Sequence, residues 1–124
     1  SPGVGHVAAA CAKTGAGLKA WDIFSYQPTG WGKPHPCIIV SHPQRVANKP
    51  DVSIIMCSSQ RATRAAEPHE VIPDEADGLD WPTICKCDLL YSAAKRDLKQ
   101  RRGRVTEQRR RQIIATINRA NDWV

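Results

Sequence analysis

Apolar residues in this chain fall into short, strand-length runs separated by stretches rich in Gly, Pro and charge. The first clear run is AWDIFSYQ, Ala20 to Gln27, where Trp21 and Ile23 alternate onto one face and Phe24 and Tyr26 onto the other. That pattern predicts a first strand. Pro28 to Pro34 is a loop by composition. A second strand is expected from Pro36 to Ser41 and, because the residue before a proline is pushed towards extended geometry, His35 should stand at its entrance. His42 to Asp51 reads as a polar connection. VSIIMCS, Val52 to Ser58, is almost continuously apolar, which predicts a third strand buried on both faces.

After a loop from Arg61 to Pro68, His69 to Ile72 predicts a short fourth strand, and Pro73 to Trp81 an acidic, turn-rich connection. TICKCDLLY, Thr83 to Tyr91, predicts a fifth strand. Its alternation puts Ile84, Lys86, Asp88 and Leu90 on one face and Thr83, Cys85, Cys87 and Leu89 on the other. Lys95 to Arg102 is expected to make a helical turn that Gly103 ends. Thr106 then caps a helix of about 12 to 15 residues, with Ile113, Ile117 and Ala120 on one stripe, Ile114 beside it and Arg109, Arg110 and Arg111 mostly off it. Short strands closed by one helix predict a mainly β domain, a small barrel or rolled sheet that the helix caps. Residues 1–18, rich in Gly and Ala and without a period, are expected to be a flexible tail, and 19–124 a single domain. His6 and Cys11 lie in the tail without partners for a metal site.

Charge sharpens this picture. The net charge is +6, but Lys95 to Arg119 holds ten Lys or Arg against Asp97 and Glu107 alone, whereas Glu67 to Asp80 holds six acids and no Lys or Arg. The basic part suits a polyanion, of which nucleic acid is the usual one, or else forms a solvated helix face beside an acidic loop. No apolar run approaches the roughly 20 residues that cross a bilayer, and no secretory pattern is visible, so no membrane partner and a cytoplasmic location are expected. Five cysteines, three of them within apolar runs, suit reduced thiols acting as small hydrophobes. Cys85 and Cys87 lack the spacing and the second ligand pair of a structural zinc site, so no metal is expected. No nucleophile-elbow sequence of a serine hydrolase is present.

Taken in order, KAWDIF, GKPHPCIIVSH (Gly32 to His42), IIMCSSQ, DGLD (Asp77 to Asp80), CDL (Cys87 to Leu89) and RGRVTEQ resemble the successive motifs of the MazF/PemK toxins of bacterial toxin-antitoxin modules. The likeness covers about Lys19 to Asn118. It implies an SH3-like barrel of about five to seven short strands with a C-terminal helix. It also implies a homodimer, cleavage of single-stranded RNA at specific sequences without metal or other cofactor, and a cognate antitoxin that covers the RNA groove. In two places the chain departs from the family pattern: His35 stands where an Arg precedes the proline, and Leu89 follows the strand-five Asp where Gln is usual.

Metal-free RNA cleavage needs a base for the 2′-hydroxyl, an acid for the leaving 5′-oxygen and positive charge around the phosphorane-like transition state. By the resemblance, His35 and Asp88 are expected as the acid/base pair, Lys86 as the electrostatic group and Ser58 as a hydroxyl that positions phosphate. Lys86 brings a point charge without the fork of an Arg, and His35 brings an imidazole, the side chain most often used for acid/base work, in place of the permanent charge of an Arg. Trp31, Lys33, Arg61 and Arg64 are the expected RNA-binding residues. His42 and His69 are left as exposed loop residues. Without the resemblance, Lys86 and Asp88 read as a solvated pair on one face of a strand, His35 as a loop histidine and Ser58 as an ordinary strand-end hydroxyl. Two alternatives stand beside a nuclease: a barrel that binds RNA or a partner without cutting, and a toxin-like inhibitor of a protein such as gyrase.

Overall fold

The computed structural model describes residues 17–123. Most of the expected tail, with His6 and Cys11, lies outside the described residues, as does Val124. Leu18, placed in the tail from sequence, is buried against the core. The main sheet has five antiparallel strands in the order β6-β3-β2-β1-β7. They are β1 (Asp22–Tyr26), β2 (His35–Ile39), β3 (Asp51–Met56), β6 (Tyr91–Ala94) and β7 (Lys99–Arg104). β4 (Glu70–Val71) and β5 (Cys85–Lys86) pair as a second, two-stranded sheet. An isolated bridge from Cys57 to Cys85 joins the two. The mainly β fold with a terminal helix is as expected, although the ladders leave β6 and β7 as open edges rather than closing one ring.

Alternation along β1 to β3 builds two cores, one on each face of the sheet. Phe24, Cys37, Ile39, Val52, Ile54 and Met56 fill one. Ile23, Ile38, Ile55 and Cys57 fill the other, where the helix residues Ile113 and Ile117 close over them. Burial of β3 on both faces is as its continuous apolar run predicts. The helix, α2 (Glu107–Ala120), starts where Thr106 accepts a hydrogen bond from the Arg109 N–H at 3.1 Å. A cap of this kind contributes about 1 kcal/mol.

Three expectations from sequence need correction. The connection after β2 contains a short helix, α1 (Pro43–Asn48), which begins at a proline and is capped by the His42 ring accepting from the Gln44 N–H. Proline suits a first helical turn because its missing N–H would have no partner there. Secondly, Thr83 to Tyr91 is not one strand. The chain leaves the small sheet after Lys86 and enters the main sheet at Tyr91, so Leu89 and Leu90 on the crossing are 52% and 41% exposed. Thirdly, only Lys95–Asp97 forms a helical turn, and the rest of that stretch is β7, which continues through Gly103. Gly103 is required by close approach: a Cβ there would lie 2.3 Å from the Asp77 carbonyl oxygen and 2.9 Å from the Gly78 Cα. Gly78 itself has φ +93°, which L side chains rarely adopt.

The DGLD turn that Gly103 presses against is held by one carboxylate. Asp77 is fully buried, and its Oδ2 accepts from the Asp74 N–H at 2.9 Å and from Arg109 Nε at 3.0 Å. Its Oδ1 accepts from the Thr106 N–H at 3.0 Å. One side chain thus ties the acidic turn to the start of α2.

Candidate functional site

Pairing between β2 and β3 decides where the site residues meet. The Cys57 N–H donates to the Pro36 carbonyl at 2.9 Å, so the start of β2 and the end of β3 lie side by side. His35 and Ser58, 23 positions apart in sequence, therefore border the same groove, whose volume is about 380 Å³. Lys86, from β5, and Arg64, from the loop before β4, also line it. Trp31, Met56, Ile84, Leu89 and Tyr91 make its apolar lining.

His35 is oriented from two directions. Its Nδ1 donates to the Cys57 carbonyl oxygen at 3.2 Å, and the Trp31 ring stands edge-on to it at 4.8 Å between centroids. A carbonyl can only accept, so the neutral imidazole carries its hydrogen on Nδ1 and keeps a lone pair on Nε2. Trp31 also packs edge-on to Tyr91 at 6.2 Å. It is half-buried as part of the groove wall.

Ser58 is set by backbone bonds. Its N–H donates to Ile84 at 2.8 Å, and its Oγ accepts from the Gln60 N–H at 3.1 Å, which leaves the hydroxyl hydrogen available to a ligand. Beneath it, the buried Thr83 hydroxyl donates to the Ser58 carbonyl at 2.6 Å, with the Gln60 carbonyl also within 3.0 Å. Arg64 is held by Glu70 through two parallel hydrogen bonds of 2.7 and 2.9 Å. Glu70 is buried on β4, opposite Lys86 in the ladder. The Arg64 hydrogen bond holds its carboxyl far below the usual range, at about 2. Such a fork fixes the guanidinium plane at the groove edge.

The remaining predicted residues stand around this groove rather than in it. Lys33 lines an adjoining hollow of about 260 Å³ that shares Ser58 and includes Trp81 and Arg102. Arg61 lies over the Trp81 ring at 5.8 Å. Asp88 is exposed on the crossing after β5, outside the groove lining. Alternation on the strand-five stretch holds through Cys87 and no further. His42 caps α1, and His69 is partly buried with Nε2 3.7 Å from Glu70. Three supports of the site were not singled out from sequence: Glu70, Thr83 and Tyr91. The only local signal for Glu70 is an acid placed in a strand beside Val71, since burial depends on what packs over it.

The four described cysteines are buried and free. Burial pushes the Cys87 thiol up to about 12 and those of Cys37 and Cys85 well above the ordinary value. They act as small hydrophobes. Glu67, His69 and Glu70 bring ligand atoms within 4.8 Å of one another. The Arg64 guanidinium, bound to both Glu70 oxygens, would repel a cation there. No helix among the described residues is long and apolar enough to cross a membrane.

Residues 21–120 match the family described as PemK-like, MazF-like toxin of type II toxin-antitoxin system. No curated protein sequence matches the chain. Among solved structures, it is similar to an endoribonuclease in complex with its cognate antitoxin from a mycobacterial species. That match has a TM-score of 0.74 at 21% identity, over 86% of this chain and 97% of that one. It also resembles the Mycobacterium tuberculosis toxin MazF-mt6, with a TM-score of 0.69 at 21% identity over 82% and 96% of the two chains. A MazE-MazF structure from Deinococcus radiodurans gives 0.64 at 13% identity over 82% and 92%. At these identities the likeness establishes the fold.

Proposed function

The chain belongs to the PemK-like, MazF-like toxins of type II toxin-antitoxin systems, and from that membership and the groove around His35 we propose that it is a metal-independent endoribonuclease of single-stranded RNA. The observation that carries the reading is the His35 geometry. An imidazole whose Nδ1 is tied to a backbone carbonyl offers Nε2 as a base, in a groove that also holds Lys86, Ser58 and Arg64.

In this reading Nε2 takes the proton of a ribose 2′-hydroxyl as the 2′-oxygen attacks phosphorus. The bond from phosphorus to the 5′-oxygen breaks, leaving a 2′,3′-cyclic phosphate and a 5′-hydroxyl once that oxygen is protonated. Lys86 and the Ser58 hydroxyl stabilise the charge gathering on the non-bridging oxygens, where preorganised donors are worth most. Arg64, fixed by Glu70, holds the strand at the groove edge. Asp88, on the exposed crossing two residues beyond Lys86, is proposed as the partner of His35 in the acid/base pair. Trp31 and Tyr91 give a base an aromatic surface next to this chemistry. By likeness to an endoribonuclease solved with its cognate antitoxin, an antitoxin is the proposed partner, and a homodimer the proposed assembly. Sequence specificity would come from base-edge contacts in the groove and its loops.

The test is cleavage of a long RNA in EDTA with mapping of both new ends. Cyclic-phosphate termini are expected, and His35→Ala should lower the single-turnover rate by about 10²–10⁴, the usual range for a lost base. Unchanged cutting by both His35→Ala and Asp88→Asn would sink the assignment of the pair. One observation favours a second reading as a non-cutting RNA binder: His35 stands where the family pattern has an Arg, so the permanent charge beside the scissile phosphate is absent. RNA retained without products would establish that instead.

A further inference from the structure

Away from the groove, the open edge of the main sheet carries a cluster of cations built on a buried acid. Asp22 is buried, and its Oδ1 accepts from Arg104 Nη1 at 2.9 Å, with Arg101 Nη2 at 3.5 Å. Its Oδ2 accepts from the Lys19 N–H at 3.0 Å. β7 would ordinarily send Arg101 and Arg104 to opposite faces, being three apart. Register shifts between β1 and β7 at Ile23/Phe24 and Phe24/Ser25 re-phase the strand, so both reach the same carboxylate. Arg102 goes the other way, to Ser25 and Asp80.

Lys19, Asp22, Arg101 and Arg104 together line a hollow of about 430 Å³. Two guanidiniums on one carboxylate, with Lys19 lining the same hollow, leave positive charge in excess. Among the described residues, no carboxylate lies within 4.0 Å of the Lys19 ammonium. Lys19 and Arg104 also border a larger cleft of about 850 Å³ that contains Trp21 and Pro43, so cationic and apolar surface stand side by side. Guanidiniums oriented by a buried acid suit phosphate oxygens.

We propose that the Asp22-anchored cluster of Lys19, Arg101 and Arg104 is a second phosphate-binding site, which holds the backbone of a single-stranded RNA whose other part lies in the His35 groove. The proposal rests on the RNA reading above. The separation of the two sites follows from the ladder: His35 pairs with Tyr26 across β1 and β2, and Asp22 lies four residues along β1. From strand spacing and rise, the cluster is then roughly 15 Å from His35, a span that a few nucleotides cover.

The experiment measures binding of 2′-O-methyl RNA, which has no attacking hydroxyl, as a function of salt. It compares the wild type with the double variant Lys19→Gln/Arg101→Gln. This variant leaves the closer Arg104–Asp22 pair in place, and a thermal melt checks that it folds. With an RNA of about 16 nucleotides, the slope of log K against log salt should shrink by about 1.4, two contacts at about 0.7 each; with one of about 4 nucleotides it should stay the same. The charge-preserving variant Lys19→Arg/Arg101→Lys should keep the full slope. An unchanged slope on the long RNA overturns the proposal while the nuclease reading stands, and leaves the cluster to an acidic protein segment. Loss of slope in the charge-preserving variant also overturns it, since the effect would then be structural. Failure of the wild type to bind either RNA overturns the proposal, and cleavage of unmodified RNA in EDTA then decides the nuclease reading separately.

Discussion

Replacing Asp77 with Asn tests how much of this fold depends on one buried carboxylate. The carboxylate accepts three hydrogen bonds, two on Oδ2 and one on Oδ1. An amide of the same shape has a single acceptor oxygen. In its less costly orientation that oxygen keeps the Asp74 N–H and Arg109 Nε, and the NH₂ group is turned against the Thr106 N–H, donor facing donor. The variant therefore leaves a buried donor unmet, at about 1–3 kcal/mol, and lowers a charge-assisted bond from Arg109 to a neutral one, at roughly a further 1 kcal/mol. Breaking a buried pair outright costs about 3–5 kcal/mol. Arg109 is 19% exposed and has Asp74 at 3.4 Å as a second partner, which places the loss near the lower end, at about 3 kcal/mol. Urea unfolding followed by tryptophan fluorescence, at one protein concentration, should show a lower midpoint with an unchanged slope. Asp80→Asn is the control, because Asp80 is 74% exposed and 3.6 Å from Arg102, and it should change stability by less than about 0.5 kcal/mol. A loss below about 1 kcal/mol for Asp77→Asn would refute the reasoning.

Three further outcomes are expected. Gly103→Ala should destabilise by about 1–3 kcal/mol, because the added Cβ would meet the Asp77 backbone at 2.3 Å and the Asp77–Gly78 turn cannot yield as a side chain would; a neutral result in the same urea assay would contradict the close packing. Glu70 has a folded-state pKa lowered from 4.5 to about 2. Its contribution is therefore fully present above about pH 4.5 and is lost as pH falls towards 2, so the wild type should lose stability across that window more steeply than Glu70→Gln. Cys37, Cys57, Cys85 and Cys87 should resist iodoacetamide in the folded protein at neutral pH and react on unfolding, as peptide mapping by mass spectrometry would show; rapid labelling of any of them when folded would contradict their burial.

Strand existence was legible wherever alternation or a continuous apolar run spanned a whole element, as in β1, β2 and β3. The same holds for α2, whose cap and stripe are both local patterns. A continuous run such as VSIIMCS implies two apolar surroundings whatever the topology, and two cores are what β3 separates. The boundaries that misled are those at which the chain changes partner. Between Lys86 and Tyr91 it passes from one sheet to the other, and alternation carries no mark of which sheet a residue joins. Lys99 to Arg104 has the charge of a solvated helix, yet it forms an edge strand because β1 offers it an unpaired side and Gly103 alone fits against Asp77.

The site divides in the same way. Residue types and their resemblance to a family selected His35, Ser58, Lys86 and Arg64 from sequence, and these four line one groove. That Arg64 is clamped by Glu70, that the His35 ring is fixed by the Cys57 carbonyl, and that Asp88 lies outside the lining follow from contacts between segments far apart in the chain. The sequence by itself determined the strand periods, the capped terminal helix and the chemical types available, because those are set by neighbours within a few residues. Only the tertiary structure decided which side chains meet, which acid is buried and where Arg101 and Arg104 point, because register shifts and sheet crossings are settled by packing across the whole domain.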